Sequence, residues 1–121
     1  MKKIYLAGPF SHSHKSTMDY RAHELARAAG YLIKKNYLVY SPITHSKPIA
    51  DIYPNFPKTF EFWKPLDESM IMDWADEVWV LGLDGWQDSI GVQHEIELAQ
   101  NLNMKTKLLV FAHFSPQTRL S

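Results

Sequence analysis

Four short runs of strand-forming residues, separated by stretches of helical periodicity, constrain this chain more than any other feature of its sequence. The runs are residues 3–7 (KIYLA), 37–40 (YLVY), 77–83 (EVWVLGL) and 107–111 (KLLVF). Residues 77–83 are almost continuously apolar, which fits a parallel strand covered on both faces rather than one with a wet side. The first three runs stop at Gly8-Pro9, Ser41-Pro42 and Asp84-Gly85, all turn-forming pairs. Between the first two, Met18, Ala22, Leu25, Ala29 and Leu32 recur every three or four residues. That spacing predicts a helix capped at Ser16 or Thr17 and stopped by Asn36. A second helix is expected within residues 60–76, with Pro65 tolerated in its first turn and Asp76 as a turn or cap residue. A third runs from a cap at Asp88 or Ser89 to about residue 102. Residues 43–58 carry Pro48, Pro54 and Pro57 and read as a long loop, a type of segment that is often functional. The order βαβαβαβ implies right-handed crossovers and an open, mostly parallel sheet between two layers of helices, an α/β fold. Ligands in such sheets bind at the carboxyl ends of the strands, where strand order reverses. The loops after Ala7, Tyr40 and Leu83 should therefore meet at one edge.

With 121 residues the chain is long enough for one domain with a core and too short for two. The domain is expected over residues 1–114, followed by a tail at 115–121. Thirteen basic and thirteen acidic residues balance, without a basic cluster, so polymeric nucleic acid is not an expected partner. No apolar run approaches a membrane span. The absence of cysteine excludes disulfides, thiolate zinc and a cysteine nucleophile, and suits the cytoplasm. Of six histidines, only His12 and His14 are paired at a spacing that suggests metal; without further ligands nearby in the sequence, no metal or cofactor is expected.

Two acids fall on apolar faces. On the third helix, at about 100° per residue, Val92, Leu98, Ala99 and Leu102 lie within about 60° of Glu95, while Glu97 points away. A carboxylate in that stripe must be paired, hydrogen-bonded to the neighbouring strand, or turned into a cavity, because desolvating a lone charge is expensive. On the second helix the same arithmetic aligns Asp67 with Met70, Ile71 and Trp74, and sends Glu68 and Asp73 elsewhere. An acid in a first helical turn also suits the helix dipole, so Asp67 has a structural explanation as well. Two carboxylates at one apolar site invite glycosidase chemistry, in which one attacks an anomeric carbon and the other manages the proton. The turn containing Gly85, Trp86, Ser89 and Gly91 opens the third helix. Its free N–H groups and the Ser89 hydroxyl could hold an anion, or Ser89 could simply cap the helix. His45, just past the second strand, is placed either to touch a ligand or to structure its loop. Phe10, Trp63 and Trp86 are candidates to stack on a planar base, or core residues.

Taken together, KIYLAGPF at 3–10, SPITHS at 41–46, ADEVWVL at 75–81 and GWQDSIGVQHEIELA at 85–99 resemble the nucleoside 2-deoxyribosyltransferase-like superfamily. The resemblance is closest to its small bacterial and phage branch known as domain of unknown function 1937, and it spans residues 3–109. It implies a flavodoxin-like or Rossmann-like fold and cleavage of the N-glycosidic bond of a nucleoside or nucleoside 5'-monophosphate, without a cofactor. The superfamily's nucleophilic glutamate falls on Glu95 and its assisting aspartate near Asp67, where the helical face favours Asp67 over Glu68. A serine at position 89 matches the members that hydrolyse monophosphates, whereas true transferases tend to carry an acid there. From their places in these loops, Gly8, Pro9, Phe10, Ser41, His45, Trp63, Gly85, Trp86, Ser89 and Gly91 are the candidates for substrate binding. Relatives are commonly homodimers or higher homo-oligomers, with sites completed by a neighbouring subunit.

The leading expectation is therefore a nucleotide N-glycosidase. The alternatives are a non-catalytic nucleotide-binding or sensing protein, 2-deoxyribosyl transfer, and attack on a larger N-glycoside such as NAD. A desolvated acid on the buried face argues against mere binding, which has little use for one.

Overall fold

The computed structural model describes residues 1–110. The elements run β1 (Lys3–Ala7), α1 (Lys15–Lys34), β2 (Leu38–Tyr40), α2 (Pro42–Ile52), α3 (Phe60–Asp73), β3 (Glu77–Leu81), a 3₁₀ turn (Trp86–Asp88), α4 (Ile90–Asn101) and β4 (Lys105–Leu109). All four strands are parallel, in the order β2-β1-β3-β4. The chain moves from β1 outward to β2, then returns to the other side of β1 for β3. That reversal between β1 and β3 opens the crevice in which doubly wound sheets hold their ligands.

Alternation along β1 assigns the two faces of the sheet. Ile4 and Leu6 pack with Leu25, Ala28, Ala29 and Leu32 of α1 and with Trp79 and Leu81 of β3; Ile43 of α2 joins this cluster. Tyr5 and Ala7 face the other way, toward Ile71 of α3 and Val92 and Ala99 of α4. The result is a three-layer αβα domain of the expected Rossmann-like class. Glu77, at the foot of β3, is buried but satisfied: its carboxylate meets Lys2 Nζ at 2.8 Å and accepts from Trp79 Nε1 at 2.8 Å. Asp76 ties the turn before β3 to β1, its carboxylate accepting from the Lys3 N–H at 2.8 Å.

Several expectations are corrected. Much of the loop expected at residues 43–58 is helix α2, which begins with Pro42 at its first position, where a missing N–H is harmless. Pro48 lies inside it and forfeits one helical hydrogen bond. Burial of Ala50 and packing of Ile43 on the first core cluster hold the segment helical regardless. Helix α3 starts at Phe60 with Thr59 as its cap, so Pro65 sits inside the helix rather than in its first turn. Helix α1 starts at Lys15, with His14 as its cap residue in place of Ser16 or Thr17. Strand β4 comes two residues earlier than expected, because Asn103 takes a left-handed turn directly after α4. Leu102 is substantially exposed rather than part of the buried stripe. Phe111 and the tail at 115–121 lie outside the described residues. Among the described residues, no helix is long and apolar enough to cross a membrane.

Candidate active site

A cavity of about 1000 Å³ lies over the β1/β3 end of the sheet. Its walls come from the loop after β1 (Gly8, Phe10), from α2 after β2 (Pro42, Ile43), and from the loop after β3 leading into α4 (Gly85, Ser89, Gly91); α3 contributes Asp67 and Trp63. The convergence of these three loops, expected from strand order, is therefore present. The cavity also holds Glu95.

Glu95 is the chemical centre of this space. It is 7% exposed, on the same face of α4 as Val92 and Ala99, which are buried in the second core cluster. The hydroxyl of Tyr5, pointing from β1 toward α4, donates to Glu95 Oε2. Both structural explanations offered by the sequence thus hold at once: the carboxylate is hydrogen-bonded to the neighbouring strand and also reaches a cavity. Burial pushes the Glu95 carboxyl up to about 8; the Tyr5 hydrogen bond opposes that shift and the nearby Asp67 charge adds to it. Tyr5 itself is held well above the ordinary phenol range by burial and by the Glu95 charge.

Asp67 is half-buried on α3, and desolvation pushes its carboxyl up to about 6. Of the two candidates in this register, Asp67 lines the cavity and Glu68 does not. Glu68 instead meets His94 of α4, its Oε2 lying 2.6 Å from His94 Nε2. Asp73 is exposed near the end of α3.

The wall at the start of α4 is polar and carries a cation, Arg21, and a carboxylate, Asp88. Ser89 caps α4, its Oγ accepting from the Val92 N–H at 3.2 Å, which leaves the hydroxyl proton free to donate. Arg21, nine-tenths buried on α1, spans the two loops at the switch point. Its guanidinium donates to the carbonyls of Phe10 (3.3 Å), Ser11 (3.0 Å) and Asp84 (2.9 Å). It has no carboxylate partner among the described residues. Gly85 makes room for it: φ is +93°, and a Cβ there would come within 2.6 Å of Arg21 Nη2. Gly8 is constrained too, since a Cβ would lie 2.6 Å from Leu25 Cδ2. Farther out, Lys47 bridges Asp51 (2.6 Å) and Asp19 (3.3 Å), and Lys15 also pairs with Asp19.

Not every sequence candidate reaches the cavity. Gly8, Phe10, Trp63, Gly85, Ser89 and Gly91 line it; Pro9, Ser41, His45 and Trp86 do not. Pro9 is fully buried, and buried Ser41 accepts from Thr44 Oγ1 at 2.9 Å. His45 is exposed with its ring beside Tyr40, and Trp86 packs against the second core cluster. Two residues that sequence reasoning did not single out for the site, Tyr5 and Arg21, are the best connected in it. His12 lines the cavity, and no group of three or more potential metal ligands occurs among the described residues.

Comparison with curated proteins gives no match. The family described as Domain of unknown function (DUF1937) matches residues 2–112, nearly the whole chain, and the protein belongs to it.

Proposed function

We propose that this protein is an N-glycosidase that cleaves the base–sugar bond of a nucleoside 5'-monophosphate or nucleoside, with Glu95 as nucleophile. The observation that carries this reading is a buried glutamate, held by a tyrosine hydroxyl, opening into the same cavity as a second desolvated acid. The Glu95 carboxylate attacks C1', the glycosidic bond breaks, and the departing base takes the proton of Asp67. Water then attacks the glycosyl ester, giving up a proton to Asp67 and releasing the sugar and the Glu95 carboxylate. The similarity of the sequence blocks to nucleoside 2-deoxyribosyltransferase-like proteins supports the same assignment. A site built only to bind would gain nothing from carrying two desolvated acids.

This chemistry requires Glu95 ionised and Asp67 protonated, although Glu95 holds its proton more tightly. The two acids share one proton between pH of about 6 and about 8. The reactive arrangement belongs to that single-proton form, as roughly one part in a hundred of it. The rate should therefore follow a bell: rising as the first proton leaves near pH 6 and falling as the second leaves near pH 8. A pH profile of kcat/KM flat from 5 to 9 would contradict this pairing.

Arg21, the Ser89 hydroxyl and the amino end of α4 offer donors on one wall that favour a 5'-phosphate over a neutral hydroxyl, against the opposing charge of Asp88. Losing one hydrogen bond to a charged group costs on the order of 1.5 to 3 kcal/mol. Ser89→Ala is accordingly expected to lower kcat/KM for a monophosphate by roughly ten- to a hundredfold and to leave the nucleoside nearly unchanged. Specificity constants for both substrates on both proteins check this. Equal losses would reduce Ser89 to a helix cap. The cavity, at the upper end of the usual size for ligand sites, also has room for a dinucleotide, so NAD belongs among the substrates assayed.

A further inference from the structure

One polar atom beside the site is left without a partner among the described residues. Tyr40 ends β2, directly opposite Tyr5 in the parallel register, and the two rings lie tilted with centroids 5.8 Å apart. The Tyr40 hydroxyl is buried and has no hydrogen-bond partner among the described residues. A buried hydroxyl left unpaired is costly, and phenylalanine would fill the same ring volume without that cost. Its ring lies beside those of Tyr5 from β1 and His45 from α2, and the charges of Asp67 on α3 and Glu95 on α4 reach it. Burial, followed by the charges of Asp67 and Glu95, pushes its phenol up to about 12, so it stays a donor throughout the working pH range.

We propose that Tyr40 is a positioning residue for Asp67, its hydroxyl donating to the Asp67 carboxylate when that acid is ionised, as the Tyr5 hydroxyl donates to Glu95. In the reactive form, with the proton on Asp67, the attraction is weak and the hydroxyl is unpaired, as it is in the structure. When Asp67 has given its proton to the leaving base, the new carboxylate, half-buried and partly desolvated, needs a donor. Tyr40 supplies one, and fixes the carboxylate where it can then take a proton from the attacking water. This part in turnover rests on the glycosidase reading; the hydrogen bond itself does not.

The test is therefore double. Carbon-13 carboxyl titration of the substrate-free protein, with the Asp67 signal assigned through Asp67→Asn, measures the hydrogen bond directly. Tyr40→Phe removes a donor from the ionised form, so the Asp67 midpoint should rise by roughly half a unit or more. An unchanged midpoint overturns the proposal, whatever the protein cleaves, and a loss of thermal stability alongside it would leave Tyr40 as packing only. In turnover, Tyr40→Phe should lower kcat more than it raises KM, and the acid limb of the pH profile should move with the Asp67 midpoint. A shifted midpoint with unchanged kcat overturns the positioning role. If the wild type releases no base from any substrate, the glycosidase reading fails, while the titration still decides the hydrogen bond.

Discussion

Replacing Glu95 by glutamine is expected to abolish base release and, at the same time, to make the protein more stable in alkaline solution. The loss of activity follows because the amide keeps the shape and the Tyr5 hydrogen bond but cannot attack C1'. The gain in stability follows from the raised carboxyl. Unfolded, Glu95 releases its proton near its ordinary value of 4.5; folded, it holds that proton to about pH 8. Below the unfolded value both states are protonated and burial carries no ionic penalty. As pH rises from there to about 8 the folded state loses stability relative to the unfolded chain, and above that the full penalty applies. A shift of this size corresponds to a few kcal/mol, on the order of 1.4 per pH unit. Glutamine carries no such penalty, so the melting temperature of Glu95→Gln should overtake the wild type progressively between pH 5 and 9. A variant less stable than wild type at pH 9 would mean that Glu95 is a structural hydrogen-bond acceptor first.

Asp67→Asn is expected to slow cleavage by about 10²-fold or more, the usual loss when acid-base help is removed. Glu68→Gln should do much less, because Glu68 faces His94 and not the cavity. The acid limb of the pH profile should change in Asp67→Asn and persist in Glu68→Gln. If Glu68→Gln or Asp73→Asn gave the larger loss in kcat, the assignment of the assisting acid would fall.

How far the sequence discloses this molecule depends on whether its signals are local. Strand positions and sheet class are carried by short apolar runs with turn residues at their ends, and the cavity's position follows from strand order. Glu95 and Asp67 are visible as acids on apolar faces. Arg21 is legible by the same test, lying three residues after Met18 and four before Leu25 on one stripe of α1. Tyr5 was harder. Within KIYLA it reads as core, and only the need of a buried phenol for a partner hints at Glu95, ninety residues away. Helix α2 was hidden by its prolines: Pro42 sits where a helix tolerates one, but Pro48 does not, and tertiary packing of Ile43 and Ala50 outweighs it. His45 and Trp86 occur in segments that border the cavity, yet which way each side chain turns is settled by neighbours that the local sequence does not name.

The most direct test of the central claim is chromatographic detection of free base from a panel of ribo- and deoxyribonucleosides, their 5'-monophosphates and NAD, run on the wild type and Glu95→Gln side by side. Time-dependent release of a base by the wild type, with none above background from Glu95→Gln, is the predicted result. Release of equal amounts of base by both proteins, or by neither on any substrate of the panel, would contradict it.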